Sequence, residues 1–105
     1  MVIAMIVLAA SPALADRDMC APGTKYRGTT IDLDVKNADI QDVFRLLSDV
    51  GHVNLVVPST VQGKVTLKLK RVPWDQVACT VAAVHRLVIT VQGNVLLVMP
   101  QRAAG

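Results

Sequence analysis

The stretch from residue 30 to residue 72 changes its hydrophobic period twice, and this limits the folds open to the chain. Residues 30–36 alternate apolar with charged side chains, which predicts a strand with one buried face. Residues 38–50 carry apolar side chains three and four positions apart, as an amphipathic helix does. A short β-branched run over 53–57 and an alternating run over 64–70 predict two further strands. A strand, a helix and two strands therefore follow one another with short connections.

The first helix has predictable ends. Asn37 is the expected N-cap, because its side chain can accept hydrogen bonds from the free amides of the first turn. Gly51 is the expected left-handed residue at the other end. The apolar stripe expected to face the sheet consists of Ile40, Val43, Phe44, Leu47 and Val50.

The rest of the sequence predicts a second helix and a hairpin. Pro73 suits the first turn of a helix, and Gln92-Gly93-Asn94 suits the loop between strands over 86–91 and 95–99. The second helix is expected to bury Trp74, Val77, Val81 and Val84, with Ala78, Ala82 and Ala83 approaching the sheet closely. The predicted fold class is α+β, a small two-layer βαββαββ sandwich with both helices packed on one face of a small sheet.

Residues 1–15 carry no charge and predict export. An apolar run over 2–10 is followed by Pro12 and by Ala13-Leu14-Ala15, which suits a signal-peptide cleavage site. The run is shorter than the about 20 apolar residues that span a bilayer. A signal peptide usually opens with Lys or Arg, and none precedes this run, so the true start of the protein is expected either here or upstream. The alternative to a signal peptide is a retained, buried N-terminal helix. The expected organisation is a signal peptide over 1–15, a linker or lead-in over 16–28, a domain over 29–100 and a tail over 101–105.

The charge balance is mildly basic. Eleven Lys and Arg against eight acidic residues give a net charge of +3, which weakly favours acidic partners and falls short of a nucleic-acid-binding signature. The densest basic group is Lys64, Lys68, Lys70 and Arg71. This group is the candidate partner surface, and a solvated strand face is the alternative.

In an oxidising compartment Cys20 and Cys79 can pair as a disulfide, or they remain two separate thiols.

No set of side chains predicts catalysis. Asp32 and Asp34 share a strand face without a His, Ser or Cys that would complete a catalytic site. His52 and His85 each lack a second ligand at metal-binding spacing, and Cys79 falls on a different helical face from His85. There is no glycine-rich phosphate loop and no aromatic platform for stacking bases. We therefore predict that the protein is not an enzyme. We also predict that it binds no cofactor, no metal ion, no nucleic acid and no small-molecule substrate.

Four sequence segments, in order, resemble the short N-terminal domain shared by secretins and TonB-dependent receptors. They are Asp39-Ile40, Gly63-Lys64-Val65-Thr66-Leu67, Val72-Pro73-Trp74-Asp75-Gln76 and Gly93-Asn94-Val95. The nearest likeness is to the periplasmic domain of type IV pilus secretins. The chain departs from the pattern of this family in two ways. Residues 79–85 stand where the family has a more polar, Leu-rich sequence, and the sequence ends at Gly105, whereas family members continue into a pore or barrel. A free-standing accessory domain or part of a split gene is therefore expected.

The resemblance implies a function without an active site. Residues 29–100 are expected to form a periplasmic protein-interaction module associated with an outer-membrane secretin, in type IV pilus assembly or protein secretion. Expected partners are a secretin or another envelope secretion or pilus protein, with a homo-oligomer as a further expectation. The alternative is a signalling domain of the TonB-dependent receptor type that binds an inner-membrane regulator. A cytoplasmic nucleic-acid-binding α/β domain is a third reading, and it requires that residues 1–15 be retained.

Overall fold

The computed structural model describes residues 17–101, so the predicted signal peptide and most of the predicted tail lie outside the described residues. Two helices and six strands form this part of the chain. They are β1 (Arg17–Asp18), β2 (Thr30–Asp39), α1 (Ile40–Gly51), β3 (Asn54–Val56), β4 (Lys64–Pro73), α2 (Trp74–His85), β5 (Leu87–Gln92) and β6 (Val95–Pro100). The predicted α+β class with two helices is confirmed.

The strands divide between two sheets. One sheet has the order β1-β5-β6-β3, with β3 parallel to β6 and the other neighbours antiparallel. The other consists of β2 and β4 alone, paired antiparallel, and each helix contacts strands of both sheets. This differs from the single small sheet that the sequence led us to expect. The local hydrophobic period shows which face of a strand is buried, but it does not show which strand lies beside it.

The lead-in before β2, for which no element was predicted, adds a strand and part of the core. Arg17 and Asp18 of β1 pair with Val91 and Thr90 of β5. The next residue, Met19, is buried, and its N–H donates to the carbonyl of Ile89 at 2.9 Å. A strand of two residues is too short to show any alternation, so the sequence could not reveal it.

Both predicted ends of α1 are displaced. Asn37 lies in an irregular part of β2 with a φ of 57°, and its N–H donates to Thr66 Oγ1 at 2.9 Å. The N-cap is Asp39, whose carboxylate accepts from the N–H of Gln41 at 2.9 Å. At the other end the left-handed residue is His52, with a φ of 54°, and Gly51 is the last residue of the helix. Both predictions were wrong. The cap lies later than predicted because β2 continues to Asp39, and α1 includes Gly51, so the left-handed residue is the next one.

The buried face of α2 differs from the predicted stripe at its end. Val77, Ala78, Val81 and Ala82 are buried, together with Cys79. Val84 was expected to join them but is 73% exposed, and the neighbouring Ala83 is exposed as well. At about 100° per residue, Val84 points about 90° away from the centre of the buried face. The α1 stripe was predicted more closely, since Ile40, Val43, Phe44 and Leu47 are all buried.

Candidate interaction surfaces

The Trp74-Asp75 pair at the start of α2 fastens the lead-in to the domain. The N–H of Trp74 donates to the carbonyl of Thr29 at 3.0 Å. The carboxylate of Asp75 accepts from the backbone N–H of Arg27 at 3.2 Å and from that of Gly28 at 3.3 Å. These residues belong to one of the four motif segments, and the structure shows that they serve to hold residues 27–29 against the helix.

The indole of Trp74 lies in a slot between two glycines. A Cβ added to Gly28 or to Gly51 would collide with the Trp74 side chain. Gly28 belongs to the lead-in and Gly51 is the last residue of α1, so the indole joins three separate parts of the chain. Trp74 is half-buried, which leaves part of the ring accessible from outside.

Cys20 and Cys79 are joined by a disulfide, with their Cα atoms 5.5 Å apart across a sequence separation of 59. The disulfide attaches the lead-in to α2 about one helical turn beyond Asp75. Cys79 has no free thiol in this state, so it offers no nucleophile to His85. The lead-in is thus fixed at three places: the strand pairing of β1, the disulfide and the hydrogen bonds of the Trp74-Asp75 pair.

The predicted basic surface lies on β4. Lys64, Lys68, Lys70 and Arg71 are all exposed there. The register of the two-stranded sheet places Asp39 opposite Lys64 and Asp34 opposite Lys68. Asp32 accepts a hydrogen bond from the backbone N–H of Arg71 at 2.8 Å. The structure therefore brings the four basic residues onto one strand, but it sets the carboxylates of β2 beside them, and the surface carries both signs of charge.

A second basic surface, which the sequence analysis missed, surrounds a cleft beside Trp74. The cleft has a volume of about 610 Å³. Arg17, Lys25 and Arg27 of the lead-in line it together with Trp74, and its apolar lining is Met19, Val53, Val91 and Leu96. We call this feature the Trp74 cleft. Its residues come from four separate segments, so no local motif in the sequence marks it.

The remaining candidate residues do not form a site. His52 is an exposed helix cap and His85 is half-buried at the end of α2. Across residues 17–101, no group of His, Cys, Asp or Glu is arranged to hold a metal ion. Within the same range, no helix has the length and apolar character needed to cross a membrane.

No family model matches the chain. It is 41% identical over 75 residues to the fimbrial assembly protein PilQ of Pseudomonas aeruginosa, a match that covers 71% of the chain and 10% of that protein. It is 38% identical over 84 residues to the type IV pilus biogenesis and competence protein PilQ of Neisseria gonorrhoeae, covering 80% of the chain and 12% of that protein. The chain thus spans about a tenth of the length of these relatives.

A solved structure, described as XcpQN012, shares the fold. It superimposes with a TM-score of 0.59 at 22% identity, and the match covers 71% of the chain and 37% of that structure. The sequence matches to PilQ and this common fold agree with the resemblance that the four motif segments indicated. The chain therefore carries a short N-terminal domain of the secretin type, and its relatives are the PilQ secretins of type IV pili.

Proposed function

We propose that this domain is a non-enzymatic, periplasmic protein-interaction module that works with an outer-membrane secretin in type IV pilus assembly or protein secretion. The observation that carries the proposal is the identity to two PilQ proteins over 71% and 80% of the chain. The uncharged N-terminal segment supports export, and a disulfide between Cys20 and Cys79 is typical of proteins in an oxidising compartment. The function is binding, so we assign no catalytic residue.

The partner surface that we propose is the outer face of β4, with Lys64, Lys68, Lys70 and Arg71. Within the described residues, the two-stranded sheet of β2 and β4 has no further strand on either side. An open edge can bind an extended segment of another protein through main-chain hydrogen bonds. The Lys side chains of β4 and the Asp side chains of β2 that stand opposite them discourage indiscriminate strand pairing and favour a partner with a matching charge pattern.

Affinity capture tests the proposal. The tagged chain is expressed in a bacterium that bears type IV pili, and proteins recovered from envelope extracts are identified by mass spectrometry. We expect a secretin or another pilus component. The double variant K64Q/K68Q should reduce this recovery, whereas R45Q/R86Q removes the same charge at exposed positions outside β4 and should not.

The other outcomes decide between the alternatives. Recovery of an inner-membrane regulator without any secretin or pilus protein would favour the signalling domain of the TonB-dependent receptor type. Cell fractionation that finds the chain in the cytoplasm with residues 1–15 retained would overturn export. Equal recovery by both double variants would remove the β4 face from the proposal while leaving the module itself in place.

A further inference from the structure

We propose that the Trp74 cleft binds an acidic peptide segment that carries a large apolar side chain. The inference rests on the proposed function, since it gives the chemistry of a protein partner, but it concerns a different surface from β4. The cleft combines an excess of positive charge, an apolar lining and a fixed aromatic wall. Each of these features points to the same kind of ligand.

The charge around the cleft is unbalanced. Arg17, Lys25 and Arg27 line it, and all three are exposed. Among the described lining residues the one carboxylate is Asp75, which already accepts the backbone N–H groups of Arg27 and Gly28. The face of β4 differs, because aspartates stand opposite its lysines. An acidic segment therefore meets less competing negative charge at the Trp74 cleft than at β4.

The interior of the cleft suits a large apolar side chain. Met19 and Leu96 are buried and Val53 is half-buried. These side chains form an apolar lining, and the exposed cations line the cleft beside them. Its volume of about 610 Å³ falls within the range of roughly 300–1,000 Å³ found for ligand sites. Half-exposed aromatic side chains beside such a pocket are typical anchors of protein interfaces.

The cleft is held in shape before any ligand arrives. Gly28 and Gly51 confine the Trp74 indole, and the disulfide from Cys20 fixes the segment that carries Lys25 and Arg27. A ligand then loses less of its binding free energy to ordering the protein. The cleft holds a single aromatic side chain, so it lacks the row of stacking surfaces that single-stranded nucleic acids require. An acidic peptide is the better match.

Trp74 is the one tryptophan of the chain, so its fluorescence reports on the cleft directly. The probe is a short synthetic peptide with Phe between Asp and Glu residues, titrated into the full chain at low salt. We expect a saturable fluorescence change that weakens as salt is added. The variant R17Q/K25Q/R27Q should bind about tenfold more weakly, because each exposed charge contributes a small part of the affinity.

The control variant is K36Q/R45Q/R86Q, which removes the same net charge at exposed positions outside the cleft and outside β4 and should retain the affinity. Glutamine leaves the backbone hydrogen bonds of residues 17 and 27 in place, so R17Q/K25Q/R27Q is expected to fold. Thermal unfolding of this variant and of the control checks that both are folded. A peptide with Ala in place of Phe should also bind about tenfold more weakly.

Four results would overturn the inference: no saturable change up to about 1 mM peptide, equal weakening by both triple variants, equal binding of the Phe and Ala peptides, or a short oligothymidine that binds as tightly as the acidic peptide. None of them depends on whether a secretin is recovered from the envelope. Failure of the cleft and failure of the proposed function are therefore separate findings.

Discussion

The side chain of Trp74 occupies the space that a Cβ on Gly51 would need. Gly51 has no left-handed conformation that calls for glycine; the left-handed residue is the next one, His52. Glycine is present at this position because the last turn of α1 and the first turn of α2 approach each other across the indole. The close approach couples the two residues, so a change in one alters the effect of a change in the other.

The variant G51A should therefore be destabilised. In an ordinary helix this substitution stabilises by roughly 0.5–1 kcal/mol, since alanine has the higher helix propensity. Here the methyl group collides with the indole, and overpacking of this kind costs about 1–3 kcal/mol. Urea unfolding of G51A, W74A and the double variant measures the coupling. If G51A lowers the free energy of unfolding by the same amount in the W74A background, the contact between the two residues does not explain the glycine.

The disulfide between Cys20 and Cys79 should be formed when the chain is kept under oxidising conditions, and its loss should lower the stability of the fold. Closing a loop across a separation of 59 residues restricts the unfolded chain and stabilises by about 4 kcal/mol in the chain-entropy treatment. We expect urea unfolding of C20S/C79S to give a free energy of unfolding that is lower by about 4 kcal/mol. We also expect trypsin to cleave this variant faster at Lys25 and Arg27, since the lead-in has lost one attachment.

A reductant provides the control for this prediction. Adding dithiothreitol should make the natural chain as sensitive to trypsin as C20S/C79S, and it should leave C20S/C79S itself unchanged. Intact-mass measurement of the chain under non-reducing conditions shows whether the two thiols are oxidised. Two free thiols, or equal trypsin sensitivity with and without reductant, would contradict the prediction.

The fold was largely predictable wherever a strand or helix was long enough to show its period. β2, β4 and α1 extend over 10 to 12 residues. Leu33 and Val65 alternate with polar or charged neighbours, which indicates the buried faces of β2 and β4, and the helical spacing of apolar residues indicates that of α1. β1 has 2 residues and no period. The division into two sheets was not predictable either, because the pairing of β2 with β4 depends on contacts between residues distant in sequence.

The candidate surfaces show the same limit. Lys64, Lys68 and Lys70 stand close together in the sequence, so the basic strand was visible, but the aspartates that oppose them are visible only from the register. The Trp74 cleft could not be predicted, since Arg17 and Trp74 are brought together by the pairing of β1 with β5. Local sequence shows the composition of a surface, and the tertiary structure decides which charges share it.

Removing the Asp75 carboxylate should loosen the lead-in. The variant D75A removes the acceptor of the N–H groups of Arg27 and Gly28, which water can partly replace, and it is expected to cost about 1 kcal/mol in the free energy of unfolding. Hydrogen exchange should become faster at these two amides while the core of α1 remains protected. D49A, at an exposed position near the end of α1, is the matched control and should change neither quantity. Equal exchange in D75A and the natural chain would show that the disulfide and β1 hold the lead-in without Asp75.

Two variants can test whether the N-cap of α1 is the observed residue, Asp39, or the predicted one, Asn37. Asp39 accepts from the N–H of Gln41, so D39A should lower the free energy of unfolding by about 1 kcal/mol. Asn37 lies in β2 with a φ of 57°, a conformation that glycine adopts without strain, and its backbone N–H remains available to Thr66 after substitution. N37G should therefore cost less than D39A, and thermal unfolding of the two variants side by side tests this. The opposite order would make Asn37 the effective cap and would place the start of α1 earlier in the chain, because a cap contributes stability only at the residue that precedes the first turn.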